Sequence, residues 1–341
     1  MNAIEWSSFG PAFVMALIGT LKVFAMGFAG FLFLRRGWVG EDGLRTLGQM
    51  VALLTLPCQI FYRFATRFDP QELSDWWKYA LIGAAITGFG MLLGKLITLR
   101  HRDNDEATML VGFQNAGFFV LPMLQALLPA ADFPRASLLL FVLIIPFNAS
   151  LWLAGSFLLL RKSTFDPRTL LTPTFIATIG SVSLFGLFHD TLHNWDQTLF
   201  WQVLIGEDKP GGAVGAIQLI GDLTVPLATI TLGGSIAVNL RGPLHNLQFK
   251  RAALEVALVK MLIYPLLGFL LLRAWLVPVS RGGDLVVWVL LMLEFAAPPA
   301  VNTAVFAQQN GYVMRYIPTA CLLCYIAGLA TVPFWLALVM R

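Results

Sequence analysis

The chain has 341 residues, of which 57% are hydrophobic and 12% charged, and its formal net charge is +4 at pH 7. A soluble domain of this length needs far more polar surface to cover its core. The composition therefore excludes a soluble domain and predicts a protein that contacts membrane lipid. The basic residues lie in short clusters between apolar stretches, so no solvated basic face for nucleic acid is expected.

Apolar stretches of about twenty residues recur along the chain, and each is long enough to cross about 30 Å of hydrocarbon as a helix. We predict ten transmembrane helices, at 10–34, 46–66, 76–99, 107–130, 136–160, 170–188, 214–238, 252–277, 285–308 and 317–340. The first has no charged start or cleavage site before it, so we interpret it as a retained helix.

Loops on one side of the predicted membrane, including those with Arg35, Arg100 and Arg161, are richer in lysine and arginine than loops on the other side. By the positive-inside rule the richer side is cytoplasmic. We therefore predict a multi-pass protein of the cell (inner) membrane with both termini on the extracytoplasmic side.

The two halves of the chain share short sequences in the same order. Leu54-Thr55-Leu56-Pro57 in the second span corresponds to Leu223-Thr224-Val225-Pro226 in the seventh, and similar pairs link spans one and six and spans five and ten. We therefore predict two five-helix repeats, 1–165 and 166–341. Because five is odd, the second repeat runs inverted, which is typical of secondary transporters.

The fourth and ninth spans carry unusual polar and proline-rich sequences. Span four contains Gln114-Asn115-Ala116-Gly117 and span nine contains Pro298-Pro299 followed by Asn302-Thr303. Two consecutive prolines should interrupt a helix, and the freed backbone groups are tolerated only where they line a cavity or are buried in protein. Half-helix N-termini at such breaks suit an anionic group. Because these clusters lie at corresponding places in the two repeats, we predict a binding site at the breaks, beside Asn115 and Asn302.

Span four resembles the N-x-G-x-x-G-x-P signature of the auxin efflux carrier family, the group that includes bacterial malonate and malate carriers. Asn115, Gly117 and Pro122 match in register, and Val120 replaces the second glycine. Further matches are Pro298-Pro299-Ala300, Gly311-Tyr312, Arg35-Arg36-Gly37, Leu56-Pro57, Asn148, and Lys260 with Pro265.

This resemblance implies an all-α membrane protein of ten helices in which broken helices 4 and 9 cross, a fold like those of sodium/proton antiporters and bile-acid symporters. It also implies a small organic anion, a mono- or dicarboxylate, bound at the crossover, and a crossover domain that moves against a scaffold domain, each drawn from both repeats. The candidate substrate-binding residues are Asn115, Gln114, Asn302, Thr303, Lys260 and Asn148. The candidate helix-break residues are Pro122, Pro298, Pro299 and Gly117.

Placing an ionisable side chain at mid-bilayer costs at least ~2.5 kcal/mol of free energy, so each ionisable residue inside a predicted span is expected to have a structural or functional role. Lys260 and Glu294 are predicted at similar depth. In one interpretation Lys260 attracts a carboxylate substrate and Glu294 carries a proton or contacts sodium; in the other the two form a structural ion pair. Asp222, one turn before Pro226, is the second candidate for ion or proton coupling.

Other functions find less support. There is no Walker motif for ATP, and the four histidines lie in or beside loops, so we expect no enzyme and no catalytic residue. We also expect no metal: Cys321 and Cys324 suit apolar packing, and His189, Asp190, His193 and Asp196 suit a solvated loop. No cofactor is expected beyond a coupling proton or sodium ion. The alternatives are a coupled symporter of another metabolite and a non-transporting receptor or channel, and a homodimer is left open.

Overall fold

The computed structural model of the protein describes residues 6–71, 75–97, 105–162, 168, 171–188, 198–206, 212, 214–240, 247–275 and 284–340. These residues form helices joined by turns. In this described part of the chain, extended pairing is limited to two isolated backbone bridges, Gln114 with Pro299 and Gly206 with Val214.

The helices follow one another in two groups of similar length along the chain. The first group is α1 (Trp6–Arg35), α2 (Glu41–Met50), α3 (Leu56–Arg67), α4 (Trp76–Ile97), α5 (Asp105–Gly112), α6 (Leu121–Leu127) and α7 (Phe133–Ala154). The second is α8 (Pro173–Leu187), α9 (Leu199–Leu204), α10 (Ala216–Asp222), α11 (Thr224–Asn239), α12 (Leu247–Leu258), α13 (Tyr264–Trp275), α14 (Leu285–Ala296), α15 (Val301–Gln309) and α16 (Ile317–Met340). Wider π-helical turns occupy Val51–Thr55, Ala116–Val120, Gly155–Leu159 and Val259–Ile263.

Several of these helices are long and apolar enough to cross a membrane. Seven meet that criterion: Ser8–Arg35, Glu41–Arg67, Trp76–Leu96, Phe133–Leu159, Ala216–Val238, Arg251–Ala274 and Ile317–Met340. Shorter apolar helices lie at Ala116–Leu127, Pro173–Leu187 and Leu285–Ala296, inside the other three predicted spans. Two of those three spans are interrupted at mid-length, which shortens their continuous helices.

Among the residues that the structure describes, three of the four π-helical turns are followed two residues later by a proline. Pro57 follows Val51–Thr55, Pro122 follows Ala116–Val120, and Pro265 follows Val259–Ile263. A proline has no N–H to donate to the carbonyl four residues back, so the helix ladder must widen or leave that carbonyl free. The freed Met261 carbonyl before Pro265 accepts the indole N–H of Trp335 at 3.0 Å.

The sequence repeated in spans two and seven lies at helix irregularities in both halves. Leu54-Thr55-Leu56-Pro57 covers the end of a π-helical turn and the start of α3. Leu223-Thr224-Val225-Pro226 covers the turn residue between α10 and the start of α11. The core of the described molecule is centred elsewhere, on α5, α6, α7, α14 and α16, whose apolar side chains are largely buried.

Candidate functional site

The first break lies in the fourth predicted span, between α5 and the π-helical turn Ala116–Val120. Helix α5 ends at Gly112, and Phe113, Gln114 and Asn115 are not helical. The Asn115 carboxamide oxygen accepts the Phe118 N–H at 3.3 Å and so caps the start of the second half-helix. Pro122, predicted as a helix-break residue, instead lies inside the continuous helical segment Ala116–Leu127, where the π-helical turn before it accommodates the missing N–H.

The second break lies in the ninth predicted span, between α14 and α15. Helix α14 ends at Ala296, the following Ala297 is extended with φ −66° and ψ 141°, and α15 begins at Val301. Pro298 and Pro299 occupy the interval. The interruption therefore coincides with the two prolines, whose rings and missing donors are incompatible with a continuous helix.

The two breaks meet and exchange backbone hydrogen bonds. The Asn115 N–H donates to the Pro298 carbonyl at 2.9 Å, and the Ala300 N–H donates to the Phe113 carbonyl at 2.8 Å. Gln114 and Pro299 lie opposite each other between these two bonds as an antiparallel bridge. Backbone groups freed by both interruptions thus find partners inside protein, as a membrane interior requires.

Tyr325 of α16 holds the same junction from a third helix. Its hydroxyl donates to the Pro299 carbonyl at 3.0 Å and accepts from the Asn115 carboxamide nitrogen at 2.6 Å. Asn115 is therefore engaged through both of its side-chain polar atoms, and it is buried. Tyr325 cannot be predicted from the sequence, because a single tyrosine within an apolar span matches an ordinary interfacial or packing residue.

Lys260 reaches the first break from the π-helical turn Val259–Ile263. Its ammonium group donates to the Val111 carbonyl at 2.9 Å and lies 4.6 Å from the centre of the Tyr264 ring. The Val111 carbonyl is free because Asn115, four residues on, donates across the bridge instead. Lys260 is fully buried, so it supports the broken backbone in this conformation.

Glu294 is also fully buried, on α14 near Lys260 and beside the Gln114 side chain. The Glu294 carboxyl and the Gln114 carboxamide interact with each other without close hydrogen-bond geometry, and neither side chain has another hydrogen-bond partner among the described residues. In the described part of the chain, Lys260 and Glu294 do not approach within ion-pair distance of 4.0 Å. The crossover therefore contains polar atoms whose bonding capacity is unused.

The remaining predicted binding residues occupy different environments. Asn302 lies in the first turn of α15 with its side chain exposed, whereas the neighbouring Thr303 is buried with its hydroxyl unbonded. Asn148 is half-buried on α7. Asp222 is exposed at the end of α10.

Other residues singled out in the sequence lie away from these bonds. Gly117 is in the π-helical turn after the first break, and a Cβ there would make an ordinary contact with Leu56. Cys321 and Cys324 are free and buried, and the described residues contain no group of three metal-ligating side chains. His189, Asp190, His193 and Asp196 lie outside the described residues.

Glu106, at the start of α5, anchors the first half-helix to α16. Its carboxylate accepts the backbone N–H groups of Arg315 at 2.8 Å, Tyr316 at 3.0 Å and Ile317 at 3.1 Å. These are N–H groups at the helix start, where no carbonyl of the same helix is available. The sequence alone does not predict this role, because an acid next to a span matches an ordinary loop residue.

An apolar cavity of about 180 Å³ adjoins the junction. It lies between α1, α11 and α16, and residues lining it include Phe24, Gly27, Leu232 and the ring of Tyr325. Tyr325 therefore contacts the crossover through its hydroxyl and the cavity through its ring.

The amino-acid sequence of the chain matches a known protein family. A family model described as "Membrane transport protein" matches residues 15–177 and 198–336. The chain belongs to this membrane transport protein family, the auxin efflux carrier family. The matched residues include both broken helices, so the crossover lies within the family's shared region.

Individual relatives are more distant. Protein PIN-LIKES 1 of Arabidopsis thaliana is 29% identical over 146 residues, 42% of this chain and 28% of the relative. Protein PIN-LIKES 7 of the same plant is 31% identical over 137 residues, 38% of this chain and 31% of the relative. The uncharacterized transporter C5D6.04 of Schizosaccharomyces pombe is 24% identical over 131 residues, 36% and 29% of the two chains. The matches thus span less than a third of these relatives' own lengths.

Family membership and the apolar helices together make the chain a multi-pass, helical membrane protein of a transporter family.

Proposed function

We propose that the protein carries a small organic anion, a mono- or dicarboxylate, across the cell inner membrane by alternating access. The substrate binds where the two broken helices cross, and transport is secondary active or facilitative. We place the protein with the bacterial malonate and malate carriers of its family, with both termini outside the cytoplasm.

The observation that carries this proposal is the bridge between Gln114 and Pro299. Two half-helices begin beside it, one capped by Asn115 and one starting at Val301. Helix N-termini carry partial positive charge, which stabilises a bound carboxylate at membrane depth. Asn302, exposed in the first turn of α15, offers a side-chain donor at the same place.

The proposed architecture is ten helices in two inverted repeats, with a crossover domain moving against a scaffold domain. Seven long apolar helices and three shorter ones support this count. Matching irregularities near Pro57 and Pro226, in corresponding sequences of the two halves, support the repeat.

Uptake into proteoliposomes tests the substrate class. The panel should contain short dicarboxylates together with aliphatic and aromatic monocarboxylates, because the apolar cavity beside Tyr325 has room for a hydrocarbon group. Saturable uptake of at least one anion is expected. Non-saturable flux would indicate a channel, and no flux of any carboxylate would contradict the proposal.

Asn302→Ala should abolish uptake, because the carboxamide of Asn302 supplies contacts to the substrate. The variant should still fold, because this side chain is exposed and is not packed in the core. Asn310→Ala, in the exposed turn after α15, is the matched control and should leave uptake unchanged. Size-exclusion profiles would establish folding of both variants. Normal uptake by Asn302→Ala would count against a binding site at the crossover.

Glu294 is the proposed coupling residue, since a fully buried carboxyl with unbonded oxygens can accept a proton or contact a cation. Glu294→Gln should remove the dependence of uptake on a pH or sodium gradient. The measurement is uptake by both proteins across a pH series, with and without sodium. A wild-type profile in the variant would exclude Glu294 from coupling; Asp222 would then be the next residue to test.

A further inference from the structure

One face of α3 and the turn before it carries polar residues at the spacing of a helical turn. Thr55, Gln59 and Arg63 are four residues apart and therefore lie on the same side of the helix. All three are buried, with side chains 1%, 2% and 7% exposed. A stripe of buried polar residues is unexpected inside a membrane protein unless its polar groups have a structural or functional role.

Two members of this stripe have polar atoms without hydrogen-bond partners. Thr55 Oγ1 and Gln59 Oε1 are buried and unbonded. Thr66, near the end of the same helix, instead donates to the Tyr62 carbonyl one turn back at 2.9 Å, and Thr178 and Thr229 do the same in their helices. Leaving a buried polar atom unbonded costs stability, so each such atom requires an explanation.

The residues next to the stripe show which parts of the protein it lies between. A Cβ on Gly117, just after the first helix break, would lie 3.8 Å from the side chain of Leu56, the residue next to Thr55. Gln59 packs with its backbone against Gly221 of α10. The Arg63 guanidinium lies 5.3 Å from the centre of the Phe133 ring, where α7 begins. The stripe therefore begins next to a residue that lies beside the first break, and it ends near the membrane face at which α3 ends.

We propose that Thr55, Gln59 and Arg63 line the route between the crossover and that membrane face, and form a second anion-binding subsite there. Arg63 attracts the anion, the Thr55 hydroxyl donates a hydrogen bond to one of its oxygens, and the Gln59 carboxamide oxygen accepts a hydrogen bond from accompanying water. In the conformation described, the route is closed, and Thr55 Oγ1 and Gln59 Oε1 have no hydrogen-bond partner within the part of the chain that the structure describes. This inference rests on the proposed alternating access, and it adds a site on the α3 side of the route.

Cysteine labelling tests the route without requiring a known substrate. In a background with Cys58, Cys321 and Cys324 replaced by alanine, Thr55→Cys and Gln59→Cys are treated with a membrane-impermeant methanethiosulfonate. We expect both to react from the membrane face at which α3 ends. Leu53→Cys, whose side chain is 57% exposed on the outer surface of the same segment, should stay unreacted in lipid. Arg67→Cys, exposed at the helix end, should react fully.

The charge of Arg63 makes a sharper test. Negatively and positively charged methanethiosulfonates are compared at Gln59→Cys, with Arg63 intact and with Arg63→Gln. Removing one positive charge about 6 Å away changes each rate about threefold in opposite directions, so the ratio of anionic to cationic rates should fall about tenfold. Thr55→Cys is close to isosteric, so it supplies the same comparison if Gln59→Cys does not fold.

Two results would overturn the inference: no labelling of either cysteine above Leu53→Cys, or a rate ratio that does not respond to Arg63→Gln. If labelling fails while carboxylate uptake is observed, the proposed function stands and the subsite does not. If labelling is charge-selective while no carboxylate is transported, the route stands and the proposed substrate class is wrong.

Discussion

The contact between α1 and α11 and the crossover of the broken helices hold the membrane segments together in opposite ways. At the first, backbone meets backbone: a Cβ on Gly233 would overlap the Gly27 carbonyl, and one on Gly30 would overlap the Ile230 carbonyl. At the second, the contact depends on directional bonds among Phe113, Asn115, Pro298, Ala300 and Tyr325. One contact is steric and apolar, and the other is polar.

This difference indicates which contact can change during transport. Close packing of helices through glycine gains dispersion energy over many atoms and has one good arrangement, so it suits a fixed scaffold. The crossover retains unbonded polar atoms on Gln114 and Glu294, which can take new partners when the helices move. We therefore expect substitutions at the α1–α11 contact to affect stability most, and substitutions at the crossover to affect flux most.

The largest loss of stability should follow Gly233→Ala. One added methyl group must displace the α1 backbone, and overpacking of this kind costs about 3 kcal/mol or more where no side chain can yield. Gly180→Ala is the matched control, because nothing lies within 4 Å of a Cβ there, and it should be neutral or stabilising by up to about 1 kcal/mol. Thermal unfolding in detergent measures both. Equal midpoints would show that the contact is loose.

Glu106→Ala should come next, with a loss of about 2–3 kcal/mol. The substitution leaves the N–H groups of Arg315, Tyr316 and Ile317 without their charged acceptor at the start of α16. Glu106→Gln keeps one acceptor oxygen and should lose less. Thermal midpoints of the two variants check the order, and identical losses would mean that the charge contributes nothing.

Tyr325→Phe should have the smallest effect on stability, about 1–2 kcal/mol, together with reduced uptake. It removes the hydroxyl that joins the Pro299 carbonyl to the Asn115 carboxamide. Tyr264→Phe is an isosteric control that loses one bond, to the Ile86 carbonyl of α4 at 2.7 Å. The control should lose similar stability yet retain more uptake. The reverse order of uptake would contradict a special role for Tyr325.

The helices themselves follow directly from hydrophobicity, and so does the second break. Pro298 and Pro299 cannot continue a helix, so the interruption of α14 can be predicted from local chemistry alone. The first break could not be located in this way. Pro122 is the obvious local candidate, yet the chain leaves the helix at Phe113–Asn115, where its backbone bonds to the other broken helix. Tertiary bonding, which no window of sequence contains, determines that position.

The same limit applies to the candidate site. Asn115 and Asn302 could be identified because polar residues beside predicted breaks are rare in apolar spans. Tyr325 and Glu106 could not, because their importance comes from partners more than 25 residues distant, such as Pro299 and Tyr316. Lys260 was identified by its charge, but its bond to the Val111 carbonyl depends on a carbonyl that only the break sets free.

The bridge between Gln114 and Pro299 also has a consequence for how the protein is made. A ribosome completes residues 105–127 long before it reaches residues 285–309, so the first broken helix enters the bilayer while its bonding partner is still unmade. Until then the Phe113 carbonyl and the Asn115 amide have no protein partner across the gap. Insertion of this segment must therefore be completed late, or be shielded by water or by the insertion machinery in the meantime.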